Sequence, residues 1–477
     1  MANNRLGEYI LTHSILLIIV LVISNLLSGI IYGYSIAIVA PSLEYIEEEF
    51  TDVFHNITAV NGTKPYNFHV SMMAGLVAGG NNFGGLVGSI LGIFVVDALG
   101  RKMTTIAIAI IALPTGLATA FAPNFWSLLV FRVLFGIAVA LAKLNFPVYV
   151  SELSPQKYRA PLGCMFTVGL GIGILFAYSI GFGFSFVKNG WRYMYGISAI
   201  FGPVFLVLGI FMPESTVWLD LSARNKKEQG GSDNFFSRIR NRVLFLKKQA
   251  ILLYSNKSNI FKFSLCLLLY AGLHMSGIFA MIQYAPKMFD AAGFGENASL
   301  YGSMVLGGWI LLMNLITTPI TGKFNRRPLL IFAMICMSIA TLVMGFNLRF
   351  IQAPAKAYVA IGMIALFFLG LFTGYGNFCA IIATEILPTE IRGFCFAQIA
   401  IVDWFFAFNV GLWFLPVSNA ITTDVCFWIF SGCTIICLII FTILLPETRH
   451  LAIDTKVVKE VEEATPFIAT SDNSVNA

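Results

Sequence analysis

Residues 147–163 read PVYVSELSPQKYRAPLG. An apolar run of membrane length stops there at Glu152, Pro155, Lys157 and Arg159, and a second run begins at once. The pattern returns as TEILPTEIRGF, where Glu385, Pro388 and Arg392 repeat the acid, proline and arginine at the same spacing. Glu152 answers to Glu385 and Pro213-Glu214-Ser215 to Pro446-Glu447-Thr448, so both motifs recur 233 residues on. Two unlike motifs sharing one offset mark a duplicated half. A third echo, Gly100-Arg101-Lys102 against Asn325-Arg326-Arg327, lies 225 residues apart, a slip that a change of loop length absorbs. The chain reads as two similar modules in tandem.

Of the 477 residues, 58% are hydrophobic and 11% charged, with a mean hydropathy of +0.82. Water-soluble domains keep roughly a quarter of their residues charged, so a soluble fold is excluded. A hydrocarbon slab of about 30 Å asks for roughly 20 consecutive apolar residues per helix. Twelve such runs are present, near 13–41, 70–96, 104–121, 125–150, 162–186, 193–212, 261–285, 299–321, 328–348, 357–384, 394–417 and 424–445. The first is too long for the apolar part of a cleaved signal peptide and reads as a membrane helix. The expected organisation is an N-terminal six-helix bundle over 1–212, a cytoplasmic linker with short helices over 213–258, a second six-helix bundle over 259–448, and a disordered cytoplasmic tail over 449–477.

The net charge of +6 is topological and does not call for nucleic acid. Loops on one side hold few cations: Lys64, Lys188, Arg192, Lys287, Arg349 and Lys356. The other side holds Arg101, Lys102, Lys157, Arg159, Lys323, Arg326, Arg327, Arg392 and the nine between Arg224 and Lys257. The positive side faces the cytoplasm, which puts both termini there, in a multi-pass protein of the plasma membrane. The first run is followed by what reads as an acidic outward loop with Glu44, Glu47, Glu48, Glu49 and Asp52. Sequons at Asn56 and Asn61 lie in that loop and a third at Asn297 in another outward loop, which makes all three expected glycosylation sites. The glycines of GLVAGGNNFGGLVGSILG in run 2 suit close helix packing. The eight cysteines sit mostly inside apolar runs without ligand spacing and read as packing residues, not disulfides or metal ligands.

Charge inside lipid is expensive, about 2.5 to 3.5 kcal/mol per residue at mid-helix, so the survivors face a cavity or a partner. The interiors of runs 3, 6, 9 and 12 lack ionisable groups, whereas run 4 has Arg132 and Lys143, run 7 has His274 and run 11 has Asp403. An outer lipid-facing set and an inner set around a water-accessible path produce that distribution. Lys143 either lines the path or snorkels or pairs. Asp403, beside Trp404, either meets substrate or is satisfied by a partner such as Lys143. His274 is a hydrogen-bonding side chain or a group that titrates near neutral pH. No metal cage, nucleotide loop or nucleophile set appears, so no cofactor, no metal and no catalysis are expected.

Together DALGRK at 97–102, Arg132 to Gly136, PVYVSELSPQKYRAPLG, PESTVWL at 213–219, TEILPTEIRG and LPETR resemble the sugar porter family of the major facilitator superfamily. The resemblance spans nearly the whole chain. It implies an all-α membrane protein of twelve transmembrane helices in two pseudo-symmetric six-helix bundles, rocking around a midplane site in alternating access. It also implies an ion-pair latch on the cytoplasmic side at Asp97, Arg101, Glu152, Arg159, Glu214, Arg326, Glu385, Arg392 and Glu447. Several positions depart from the family pattern. Thr167 stands for an amide, Leu273 and His274 for paired amides, Phe279 and Asp403 for asparagines, Ala380 for a tryptophan and Gly322 for an acid. The Ser276-Gly277-Ile278 core is kept.

The polar candidates for contact with a small-molecule substrate are Asn25, Lys143, Asn145, Thr167, His274, Ser276, Gln283, Tyr284, Asn377, Asp403, Trp404 and Asn409. The expected cargo is a hexose or similar small polar solute. The same helices also resemble the organic-ion carriers of the superfamily, with aromatics at Phe372, Tyr375, Phe378, Trp404, Phe405 and Phe406 suited to a cation, and a non-transporting nutrient sensor is the third alternative. Proton-coupled sugar porters carry an acid on the first helix where this chain has Ser35, so facilitated diffusion is expected unless Asp403 or His274 carries a proton. The partners are the substrate and the lipid bilayer; the sequence does not specify an oligomeric state.

Overall fold

The computed structural model describes residues 2–54, 68–154, 156–228, 235–321, 324–352 and 354–448. Asn56, Asn61, Gly322 and the tail over 449–477 lie outside the described residues, as do the side chains of Arg159 and Asn297. Among the described residues twelve helices are long and apolar enough to cross a membrane, as the sequence leads one to expect. They are spans 1 to 6 (Leu17–Glu49, Phe68–Leu99, Arg101–Ala120, Phe125–Leu153, Pro161–Phe184 and Gly190–Phe211) and spans 7 to 12 (Lys257–Gln283, Ala298–Thr317, Arg326–Phe350, Ala355–Ile386, Thr389–Ile421 and Thr423–Leu444). Helices Thr216–Glu228 and Phe235–Ser255 lie between the two sets.

The duplication is visible in the packing. Span 1 lies on span 5 as span 7 lies on span 11, span 3 on span 4 as span 9 on span 10, and span 3 on span 6 as span 9 on span 12. The two halves meet through span 2 on span 11 and span 5 on span 8. Apolar side chains such as Ile110, Phe211 and Ile443 are exposed on the outer surface, where lipid supplies the apolar contact that a soluble protein must find in its core.

Without a hydrophobic force between helices in lipid, close approach of small residues has to supply the packing. Gly29 and Gly33 of span 1 face the carbonyls of Phe166 and Leu170 on span 5, and Gly169 and Gly173 answer from the other side. A Cβ placed on Gly29 would lie 2.1 Å from the Phe166 oxygen. The glycines of span 2 serve both neighbours: Gly84 and Gly88 receive span 4, and Gly75, Gly79 and Gly85 receive span 11.

One expectation is corrected at the end of span 1. The acidic stretch is helix Val39–Glu49, not a loop. Leu43 and Ile46 bury one face, while two of the carboxylates, Glu47 and Glu49, find cations. Glu49 accepts from Trp191 Nε1 and Arg192 Nη2, each at 2.5 Å, and Glu47 accepts from Lys287 Nζ at 2.8 Å. The density of acids reads as a loop only when these partners, far away in sequence, are unknown.

The linker helix Phe235–Ser255 ties the ends of spans 2 and 11 together. Arg242 Nε lies 3.0 Å from Asp97 Oδ2, Arg238 Nη1 donates to the Ala98 carbonyl at 3.0 Å, and Gln249 Nε2 donates to the Glu390 carbonyl at 2.6 Å. The face carrying these helices is called the linker face below. On the opposite face the halves are joined by Lys287 to Glu47, by Asn419 Nδ2 donating to Ser71 Oγ at 2.8 Å, and by Tyr178 Oη donating to the Ile282 carbonyl at 2.7 Å.

Replacing Gly29 by valine is expected to force spans 1 and 5 apart. Overpacking of this kind costs about 1–3 kcal/mol, and more where backbone is the obstacle. The thermal midpoint of the purified protein should fall accordingly; an unchanged midpoint would contradict the close crossing.

Candidate functional site

Span 4 is set at its start by a reciprocal cap: Asn124 Oδ1 accepts from the Ser127 backbone at 2.8 Å, and the Asn124 backbone donates to Ser127 Oγ at 3.3 Å. That cap leaves two orphan donors satisfied. Lys143 then projects toward span 11, where its Nζ donates to Asp403 Oδ2 at 2.6 Å. The partners are 260 residues apart and belong to different halves. About a quarter of the Lys143 side chain stays accessible while Asp403 is nearly enclosed.

Aromatic faces enclose the ammonium. Its nitrogen lies 4.5 Å from the centroid of Tyr32 and 5.0 Å from that of Trp404, an arrangement in which ring quadrupoles stabilise a cation. Trp404 can lie there because Gly85 of span 2 has no side chain: a Cβ would sit 2.2 Å from the indole. Tyr32 is a site residue that the sequence reading missed, and its only signal was its place just before GYSIAIVAP in span 1.

His274 comes to the same carboxylate by a break in span 7. The first piece ends at Met275, and Gly277 takes φ +90°, where a side chain is strained and a Cβ would meet Phe430 at 2.6 Å. Ile278–Gln283 then restarts the helix. With the chain broken here, His274 Nε2 lies 2.6 Å from Asp403 Oδ1, its ring 5.1 Å from that of Phe279. The other ring nitrogen, Nδ1, is buried without a partner. Asp403 therefore joins spans 4, 7 and 11 at one point, and it uses both carboxylate oxygens to do so.

The other candidates divide. Gln283 Nε2 donates to the Ala78 carbonyl across the halves at 3.2 Å, and Tyr284 Oη to the Gly411 carbonyl within the second half at 2.8 Å. Thr167 and Ser276 return their hydroxyls to the carbonyls of Cys164 and Leu273 on their own helices. Asn377 Nδ2 donates to the Phe372 carbonyl at 2.5 Å and reaches Thr317 Oγ1 at 3.4 Å. Three bond away from the cluster of Lys143, His274 and Asp403. Asn25 is buried against the Leu162 and Gly163 carbonyls of span 5, Asn145 against Arg101 O and Thr105 Oγ1 on span 3, and Asn409 bonds the Phe405 carbonyl of its own helix. The amide nitrogens are thus taken up by backbone and neighbours, while the buried oxygens Asn25 Oδ1 and Asn145 Oδ1 have no hydrogen-bond partner.

The repeated motifs form one cluster per half. Arg101 donates to Glu152 from Nε at 3.0 Å and Nη2 at 2.6 Å, and to Asp97 from Nη1 at 2.9 Å, while Glu214 accepts the Arg101 backbone N–H at 2.8 Å. In the second half Arg326 Nη2 donates to Glu385 at 3.3 Å, and Glu447 accepts the Arg326 and Arg327 backbone N–H groups at 3.1 and 3.2 Å. Each Glu of the PES or PET motif thus caps the N-terminus of span 3 or span 9, where a carboxylate suits the helix dipole. Arg392 folds back onto the Leu387 carbonyl. The described motif pairs stay inside their own half, apart from the linker's Arg242 on Asp97.

Among the described residues no His, Cys, Asp and Glu cluster could hold a metal, and none of the cysteines is in a disulfide.

Comparison with known proteins places this geometry. A family model described as sugar (and other) transporter matches residues 20–455. A galactose-proton symporter of Escherichia coli is 28% identical over 449 residues, covering 90% of this chain and 91% of that one. A glucose transporter of Staphylococcus epidermidis is 28% identical over 439 residues, covering 90% and 94%. Among solved structures, the E. coli xylose transporter in a partially occluded inward open conformation superposes with a TM-score of 0.73 at 20% identity, covering 91% of this chain and 99% of that one.

Asp403→Asn is expected to destabilise the protein by about 3–5 kcal/mol, because it strands the Lys143 ammonium. Lys143→Met combined with Asp403→Leu should recover most of that loss. Thermal unfolding of the purified variants checks it, and additive losses in the double variant would remove the pair from the account.

Proposed function

The chain belongs to the family of sugar and other transporters, a multi-pass membrane carrier and not an enzyme, and from that premise we propose that its cargo is a neutral monosaccharide moved by alternating access. The carrying observation is the Lys143–Asp403 pair, which joins the halves within the membrane. To open the opposite way, the halves must separate these charges, and an uncompensated buried charge costs several kcal/mol. Each hydroxyl of a sugar both donates and accepts. It can accept from the ammonium and donate to the carboxylate, and so replace the pair as the halves part. An organic cation would instead compete with Lys143 for Asp403 and for the faces of Tyr32 and Trp404, which already hold a cation.

The state described is closed on the face opposite the linker. There Glu47, Ser71 and Tyr178 of one half bond the other. We place the linker face in the cytoplasm, with both termini, because it carries the basic loops, and the carrier in the plasma membrane. The motif clusters of the two halves then stand as separated parts of an inner gate, with Arg159 and Arg392 as the arginines expected to cross when the carrier opens outward. The sequons at Asn56, Asn61 and Asn297 lie on the other side in this topology and are proposed as glycosylated.

Facilitated diffusion is the coupling mode favoured. Ser35 stands where the proton-coupled members of the family carry an acid, and no ion pair to a carboxylate is described for Arg132. One observation supports a second reading: the partnerless Nδ1 of His274, with Nε2 on Asp403, makes a site for a transported proton.

Reconstituted protein should take up labelled glucose, galactose or xylose saturably, only to equilibrium and without response to a protonophore. Accumulation driven by a pH gradient and lost in His274→Gln would replace facilitation by the second reading. Uptake of organic ions with no sugar movement would overturn the proposal.

A further inference from the structure

Between Asp233 and Asp290 the chain has no acidic residue, and that stretch contains the whole linker helix Phe235–Ser255 and the start of span 7. The helix has two unlike sides. Arg238, Arg242 and Gln249 face the protein and bond the ends of spans 2 and 11, and Leu253 on the same side is fully buried in an apolar cluster with Phe263, Leu387 and Ile391. The other side carries Arg240, Leu244, Lys247, Ile251 and Tyr254, which recur at alternating intervals of four and three residues and so form one stripe. All five are exposed, Tyr254 by 64% and Ile251 by 57%. Apolar side chains exposed on a membrane span meet lipid; no described part of the chain covers these, and an exposed apolar patch marks a contact surface.

Connectivity fixes the height of this stripe in the molecule. Only Asn256 separates Ser255 from Lys257, the first residue of span 7, and Asn256 Oδ1 caps that span by accepting from the Ser258 backbone N–H at 2.9 Å. The last turn of the linker helix therefore lies at the membrane boundary. Just beyond it Lys257 and Phe261, one turn apart on span 7, are both exposed, so the alternation of cation and apolar side chain continues onto the lipid-facing surface. Among the described residues no carboxylate lies within ion-pairing distance of Arg240, Lys247, Lys248 or Lys257.

We propose that the exposed stripe of the linker helix, with Lys248 and Lys257 beside it, docks on anionic phospholipid headgroups of the adjoining leaflet. Basic residues interleaved with apolar ones on a helix at the interface answer to both parts of that surface. The guanidinium and ammonium groups meet the anionic headgroups, Leu244 and Ile251 rest at the acyl boundary, and Tyr254, with an apolar ring and a polar hydroxyl, suits the level between them. An acidic soluble protein would match the charge alone. The bilayer is the occupant favoured here because covalent continuity with span 7 holds the stripe beside it at all times. The proposal rests on the chain spanning a membrane and is independent of what the carrier transports.

The test places the full-length purified protein in nanodiscs of phosphatidylcholine alone and of phosphatidylcholine mixed with phosphatidylglycerol. The melting temperature should be higher in the anionic discs by about 2–4 °C. Arg240→Gln, Lys247→Gln and Lys248→Gln combined should remove most of that difference, and Leu244→Gln with Ile251→Gln should reduce it at unchanged charge. An environment-sensitive fluorophore on Ile251→Cys, read against the unmodified protein labelled in the same way, should shift to the blue on passing from neutral to anionic discs, a readout that needs no loss of cations. Equal melting in the two kinds of disc, a full difference retained by the triple variant, or a fluorophore that reports water in both would each overturn the docking. An equal rise produced in phosphatidylcholine discs by inorganic phosphate or by soluble polyglutamate would overturn it too, and assign the surface to a free anion or to an acidic protein.

Discussion

A charge inside hydrocarbon must be met by an opposite charge or by dipoles, and the arrangement around Asp403 follows from that constraint. One carboxylate satisfies Lys143 with one oxygen and His274 with the other. The Lys143 ammonium lies further over Tyr32 and Trp404. A neutral, well-packed interior would hold the same helices together at no desolvation cost. An ion pair differs because its attraction falls with distance and its desolvation cost persists, so the halves are not free to part until something replaces the partner. In the proposed cycle the pair acts as a control on the conformational equilibrium more than as a source of stability. A ligand biases such an equilibrium only through a difference in its contacts with the two states, and a polyhydroxylic solute that bridges the separated charges supplies one.

The remaining inter-half contacts follow a second constraint, the absence of a hydrophobic drive between helices in lipid. Span 2 meets span 11 through glycines along one edge, and the Trp404 indole can lie beneath Lys143 only because Gly85 leaves room. Packing and electrostatics are coupled here: a side chain at position 85 would displace the aromatic face that stabilises the cation. On the linker face, helix Phe235–Ser255 reaches Asp97 on one half and the Glu390 carbonyl on the other. Asp97 is shared between Arg101 of its own helix junction and Arg242 of the linker. Such partly exposed pairs contribute about 0–1 kcal/mol each, which suits contacts that have to be exchanged when the halves rock.

Much of the fold was legible in the sequence because its signals are local and additive. Twelve apolar runs and a repeat at 233 residues need no knowledge of tertiary partners. The site was legible in part. Intramembrane charge singled out Lys143, His274 and Asp403, and the structure brings the three together, since an isolated charge there has few other solutions. Tyr32 carried no such mark: an aromatic in an apolar run is ordinary until a cation lies over it. Asn25, Asn145 and Asn409 failed in the opposite direction. An amide in a membrane helix has the polarity of a binding residue, but nearby carbonyls and a hydroxyl take up its N–H groups, and only coordinates reveal which. The helix at Glu44–Glu49 was hidden because its carboxylates are satisfied by Arg192, Trp191 and Lys287, which lie 142 to 240 residues away.

The two cations of span 4 separate two roles that charge can play in a carrier. Lys143 is paired across the halves, so its partner depends on the conformational state, and its environment must change each time the halves exchange access. Arg132 is surrounded by spans of a single half, with Tyr195 over its guanidinium and Ser35, Asn81 and Thr119 lining the space beside it. A rigid-body motion of one half against the other leaves that surrounding unchanged. Whatever compensates Arg132 is therefore carried along with the bundle and cannot drive the motion, whereas whatever replaces Asp403 at Lys143 can. Both charges belong to span 4, and it is the boundary between the halves that decides which of them meets a partner from the other half.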